Sequence, residues 1–178
     1  IYRGSLDDIM GRQINAAKHY GIENIVEILG DNPLVHSEII DKAIEAFEKN
    51  ECDYAANITK EYDECNKKYK LFSVGVRVQV YKTAVAERYK EYNVYTNPDL
   101  HPSSFIYNNK IDFKSIFIEA NNELEYLNRQ NLNFAVNYKK NFLLVKHIFE
   151  ELYKIDNNFK LDRVFDLLDD QPYLYNLF

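Results

Sequence analysis

Asp31 stands just after a short β-branched run, Ile25-Val26-Glu27-Ile28-Leu29, within Gly30-Asp31-Asn32-Pro33. In an open α/β sheet, ligands bind beyond the carboxyl ends of the strands, so this spacing delivers a carboxylate to such an edge. Gly30 lets a backbone or a phosphate come close, and Pro33 fixes the turn. The carboxylate can hold Mg²⁺ beside a nucleoside triphosphate. An aspartate that only makes a turn or caps a helix fits the same spacing.

Other chemistry is sparse. His19, His36, His101 and His147 are scattered, with no partner at i+4 and no glutamate at metal-site spacing, which points to surface or packing roles. Cys52 and Cys65 lack a Cys-x-x-Cys or Cys/His companion, so free thiols are expected. Nothing resembles a nucleophile elbow, a Walker loop or a dinucleotide fingerprint. The net charge of −6 comes without a basic stripe, which argues against nucleic acid as a partner. No apolar run approaches the roughly 20 residues of a membrane span, and a cytoplasmic location is expected. The 15 Tyr and 11 Phe read as compositional bias rather than as a site.

The elements that must position Asp31 follow from periodicity. Ser5 suits an N-cap, with Asp8 three residues on; Leu6, Ile9, Met10, Ile14 and Ala17 recur at helical spacing, and Gly21 supplies the stop. The run 25–29 predicts a buried strand, Ser37 opens a second helix, and Cys52 to Ile58 predicts another strand. Alternating helices and strands argue for a parallel sheet covered by helices. Val74, Val76, Val78 and Val80 alternate with Gly75, Arg77, Gln79 and Tyr81, which predicts a strand with one buried and one more polar face. A short helix is expected over 83–92 and an irregular stretch over 93–104. Strands are expected over 115–120 and 132–137, and two C-terminal helices follow, with Pro172 limiting the last. No linker divides the chain, so residues 1–178 are expected to form one domain.

Several blocks carry a resemblance. Arg3-Gly4-Ser5-Leu6-Asp7-Asp8-Ile9-Met10-Gly11-Arg12, Tyr20-Gly21, Ile25 to Val35 and Glu38-Ile39-Ile40-Asp41 are similar, in order and spacing, to one family. It is the cytidylyltransferases of spore-coat-polysaccharide type, relatives of the acylneuraminate and KDO cytidylyltransferases. Phe105-Ile106-Tyr107, Leu132 to Asn137 and Phe159 to Leu174 match weaker blocks. The resemblance implies a Rossmann-like nucleotide-diphospho-sugar transferase fold, α/β, with a mixed sheet flanked by helices, often as a homodimer. It implies attack of an acidic-sugar hydroxyl on the α-phosphate of CTP, giving a CMP-sugar for cell-surface polysaccharide. It assigns Mg²⁺ and catalysis to Asp31, and nucleotide or sugar contacts to Arg3, Ser5, Arg12, Gly30, Asn32, Pro33, Gly75, Arg77, Gln79 and Asn137. Arg12 suits bidentate contact with phosphate or carboxylate, and equally suits a plain helix surface.

The chain departs from the pattern in four places, one of them a His-containing block before Phe105 that is only partly kept, at His101. A basic, Gly/Ser-containing phosphate loop and the first strands are expected before Ile1, so the chain reads as the C-terminal two-thirds of the family's domain. The family's Gly-Leu-Asp-Val-Glu pattern reads Gly75-Val76-Arg77-Val78-Gln79 here, and its second metal-site aspartate corresponds to Asn137. Three readings follow from this: a CMP-sugar-forming enzyme, a catalytically degenerate relative that binds nucleotide or sugar or scaffolds glycan biosynthesis, or an enzyme in which Arg77 and Gln79 admit a more anionic or different sugar.

Overall fold

The computed structural model describes residues 1–62, 69–92 and 101–174. In chain order the elements are α1 (Ile9–Tyr20), β1 (Asn24–Ile28), α2 (Ser37–Lys49), β2 (Tyr54–Asn57), β3 (Val78–Lys82) and α3 (Thr83–Ala86), which tightens into a 3-10 turn over Glu87–Tyr92. Then come α4 (Ser104–Asn108), β4 (Ser115–Ile118), a 3-10 turn over Asn122–Leu127, α5 (Lys139–Leu152) and α6 (Leu161–Asp170). The strands form one sheet in the order β1-β3-β2-β4. The chain divides into two compact units, Ile1–Glu27, Lys42–Ala56 and Gln79–Phe117 in the first, and Ile28–Asp41, Asn57–Val78 and Ile118–Phe178 in the second.

In the first unit, α1 starts later than the sequence suggests. Its N-cap is Asp8, whose Oδ1 accepts from the Gly11 backbone N–H at 2.8 Å. Ser5 instead accepts from the Asp8 N–H at 3.0 Å, and Leu6 lies outside the helix, 84% exposed. Aspartate wins the cap because Gly11, three residues on, leaves room for it: a Cβ there would sit 2.2 Å from Asp8 Oδ2. The far end agrees with expectation, since Gly21 adopts a left-handed φ of 65° and its N–H closes on the carbonyls of Ala17 and Lys18. Met10, Ile14 and Ala17 are buried, and α1 packs against α3 and the following 3-10 turn. The core of this unit is aromatic: Tyr54 and Tyr81 stack with centroids 6.4 Å apart, and Tyr107 and Phe117 close on Tyr54.

β2 and β3 pair antiparallel, with Tyr54 opposite Tyr81 and Ala56 opposite Gln79. The sheet is the mixed one that the resemblance implies, where alternation alone suggested a parallel sheet.

In the second unit the valine ladder proves shorter than its alternation. Gly75 has φ 91°, which breaks the strand, so β3 begins only at Val78. Val74 makes a single parallel bridge to Asn133, and this bridge is all that forms of the strand expected over 132–137. Asn57 holds the chain just before β3, donating to the Val76 carbonyl at 3.1 Å and accepting from the Val78 N–H at 2.7 Å. Burial does not alternate either: Gly75, Val76, Arg77, Val78, Gln79 and Val80 are all buried. Both faces are covered, so the polar members of the pattern needed partners inside. The helical expectations agree with α5 and α6. Leu161, Val164, Phe165 and Leu168 recur at i, i+3, i+4 and i+7 and form the buried stripe of α6. Each such side chain contributes about 1.5–3 kcal/mol of burial. α6 packs on α5 and on the 122–127 turn, with Phe165 against Phe134 at 6.4 Å.

The irregular segment expected over 93–104 falls partly outside the described residues, as does Cys65; Cys52 is a buried free thiol.

Candidate active site

The candidate residues divide between the two units. In the second, Asp31 follows β1 in the turn Gly30-Asp31-Asn32-Pro33. The Asp31 carbonyl accepts from the Val136 N–H at 2.8 Å, and Asn32 closes the turn, accepting from Val35 N–H and donating to the Leu29 carbonyl. Three backbone bonds thus hold the turn, while the Asp31 carboxylate takes no bond from any described residue. Gly30, Asp31 and Pro33 line a cleft of about 770 Å³ whose other wall is α5 and the two residues after it, with Phe142, Val145, Phe149 and Tyr153 apolar, Lys154 basic, and Lys146 paired with the Glu150 carboxylate at 3.6 Å. Asn32 points inward, buried, with neither amide atom paired. Asn137 is exposed two residues past Ala135, and it hangs on the same segment that bonds Asp31.

Gly75 and Arg77 do not face this cleft. A Cβ on Gly75 would lie 2.2 Å from the Ala135 nitrogen and 2.4 Å from the Phe134 carbonyl carbon, so the glycine serves close approach of two backbones. Arg77 is 3% exposed; its guanidinium lies 4.4 Å from the Tyr62 ring centroid, and Nε donates to the Tyr62 hydroxyl at 3.1 Å.

In the first unit, Arg3 and Ser5 are exposed and Arg12 is half-buried. Arg12 Nη1 donates to the Ser5 carbonyl at 2.6 Å, so the guanidinium shapes the Arg3-Gly4-Ser5-Leu6 turn. Gly4 makes room for it, since a Cβ there would meet Arg12 Cγ at 2.9 Å. Asp8 is shared between Gly11 and the Tyr89 hydroxyl, 2.8 Å from Oδ2; burial, and then the Asp8 carboxylate, push the Tyr89 pKa up to about 12.

Gln79 lies deeper, fully buried, in a polar cluster that the sequence reading missed. Its Oε1 accepts from the hydroxyls of Tyr54 at 2.6 Å and Ser103 at 2.7 Å, and its Nε2 donates to Glu27 Oε2 at 3.2 Å. Glu27 also accepts from Gln13 at 2.6 Å and Tyr81 at 3.0 Å, and it faces His101 Nε2 at 3.4 Å. Burial raises the Glu27 pKa, but the His101 imidazole and the hydrogen bonds from Gln13 and Tyr81 outweigh it, and the net shift is downward. A carboxylate in the middle of the apolar run Ile25 to Leu29 was the available signal.

Comparison with known proteins decides what this arrangement belongs to. Residues 1–176 match the family described as cytidylyltransferase. The chain belongs to the cytidylyltransferase family. It is 30% identical over 179 residues to the uncharacterized protein MJ1063 of Methanocaldococcus jannaschii, an alignment that covers 99% of this chain and 66% of that protein. The chain thus spans a little under two thirds of that relative's length. Its fold is similar to that of a cytidylyltransferase from Leptospira borgpetersenii serovar Hardjo-bovis, with TM-score 0.78 and 20% identity over 97% of this chain and 67% of the other. Among the described residues, no helix is long and apolar enough to cross a membrane.

Mg²⁺ is the cation this family reading implies. No three His, Cys, Asp or Glu side chains gather into a metal site among the described residues. Mg²⁺ does not demand such a cage, because it commonly takes one or two carboxylates and completes its shell with substrate phosphates and water. The unpaired Asp31 carboxylate fits that role as a single protein ligand.

Proposed function

We propose that the protein carrying this chain is a Mg²⁺-dependent nucleotidyltransferase that forms a CMP-sugar from CTP and an acidic sugar, for cell-surface polysaccharide. The sugar hydroxyl oxygen bonds to the α-phosphorus as the bond to the bridging α–β oxygen breaks. Pyrophosphate leaves, and the hydroxyl proton is released. The observation that carries the reading is the Gly30–Pro33 turn after β1 in a family member, its Asp31 carboxylate left without a bond among the described residues. Asp31 would hold Mg²⁺, which supplies neutralisation of the charge on the triphosphate. Lys154, and Lys146 on exchanging its partner Glu150, suit anionic groups of the substrate in the same cleft. Arg3, Ser5 and Arg12 are proposed nucleotide or sugar contacts, with Arg12 setting the local turn. A single catalytic domain, a cytoplasmic location and a homodimer complete the proposal. The test is CTP-dependent pyrophosphate release by the intact protein over a panel of acidic sugars.

A second reading, a catalytically degenerate binding or scaffolding module, draws on the buried Arg77 and on Asn137, where the family pattern has acids. Titration of CTP with and without Mg²⁺ separates the two. Metal-strengthened binding supports the enzyme, and absent or metal-independent binding supports the module.

A further inference from the structure

A pocket orients its ligand through a few placed polar groups, and the cleft beside Asp31 holds very few of them. Among the described side chains that line it, the Tyr153 hydroxyl is the single neutral hydrogen-bonding group; Pro33, Val136, Phe142, Val145 and Phe149 are apolar. Four lining side chains carry charge. Lys146 and Glu150 stand one turn apart on α5 and face each other at 3.6 Å, so they offset one another. Asp31 and Lys154 remain, one acid and one base, and neither side chain is bonded by a described residue. We propose that Lys154 is the residue that selects an acidic sugar, its ammonium taking the sugar's carboxylate. The inference rests on the enzymatic reading, in which Asp31 holds the metal.

The two unpaired charges stand at different places along α5. Asp31 is tied through its carbonyl to the Val136 N–H at 2.8 Å, just before the helix begins, and Lys154 comes just after the helix ends. A phosphate on a metal at Asp31 and an anion on Lys154 are therefore different groups of the bound reactants. The triphosphate meets its neutralising cation at Asp31, which leaves the sugar's own charge for Lys154. A carboxylate lying unpaired against the apolar side chains of α5 would be costly. Lys154 answers that cost without first giving up a partner, whereas Lys146 must release Glu150 and so place a second negative charge beside the substrate. A neutral sugar leaves the Lys154 ammonium in water and gains nothing from it. Hydrogen bonds to charged groups exceed neutral ones by enough to give the acid a preference of about tenfold.

The probes are N-acetylneuraminic acid and KDO, each titrated against its own methyl ester, which removes one negative charge. Binding to the intact protein is followed by ligand-observed NMR at low salt. In at least one pair the parent should hold the acid about tenfold more tightly than the ester. Lys154→Met should bind acid and ester alike, at the parent's affinity for the ester, and Lys154→Arg should keep the preference. Affinity for CTP with Mg²⁺ should stay within about threefold of the parent in Lys154→Met, because the phosphates are held elsewhere. Lys154 is exposed and bonds no described residue, so neither variant removes a contact of the fold. A parent without the preference, a preference that survives in Lys154→Met, or a loss that falls on CTP instead overturns the proposal. No turnover is measured, so its failure leaves metal-dependent nucleotidyl transfer standing, and a protein that releases no pyrophosphate can still show the preference.

Discussion

Glu27 is a charge held in the interior by its neighbours, and that makes it sensitive to pH in a defined direction. Its pKa is depressed in the folded chain, so its contribution to stability is present above the ordinary value of 4.5 and is lost as the pH falls through and below that value. Glu27→Gln should flatten the stability–pH curve below about pH 5, read by denaturant titration at each pH. An acid limb identical to the parent's would contradict this placement. Gly75 makes a different kind of residue-scale claim. Its φ of 91° and the backbone atoms 2.2–2.4 Å from a would-be Cβ leave no soft neighbour to yield. Gly75→Ala should cost about 3 kcal/mol or more in chemical denaturation, from a disfavoured φ plus a backbone clash. A cost below about 1 kcal/mol would mean that the 74–75 and 133–135 segments do not approach as described.

Among the elements, α1 shows which signals in the sequence were sufficient. Gly21 in the left-handed region ends the helix with open space around it, so Gly21→Ala tests conformation alone and should cost about 1 kcal/mol in thermal unfolding. A neutral result would put the helix end elsewhere. That stop was legible because glycine after an apolar period has few other readings. The start was not, because Ser5 and Asp8 are both good caps, and only the room left by Gly11 decides between them. α2, α5 and α6 were legible because each sustains a 3.6-residue apolar period. β3 was misread because period two reports one covered face, and here both faces are covered, so Arg77 and Gln79 are interior. The buried cluster around Gln79 was hidden from sequence because its members come from α1, β1, β2, β3 and the 101–103 turn, and no spacing along the chain connects them. The turn that carries Asp31 could be read in advance because its residues are contiguous.

For the molecule as a whole, the family match over 1–176 and the fold similarity agree with what the motif order suggested. Substrate choice lies beyond both, and binding gives the first discrimination. In isothermal titration of the intact protein, Mg²⁺ should strengthen CTP binding at least about tenfold if Asp31 is the metal's protein ligand, and Asp31→Asn should remove that gain. Equal affinity with and without the metal would favour the binding-module reading. The most direct test is CTP-dependent pyrophosphate release by the intact protein supplied with acidic sugars. The account predicts release with at least one such sugar and a loss of about 100-fold or more in Asp31→Asn with the fold retained. No release over a broad panel, or an Asp31→Asn variant that turns over at the parent rate, would contradict it.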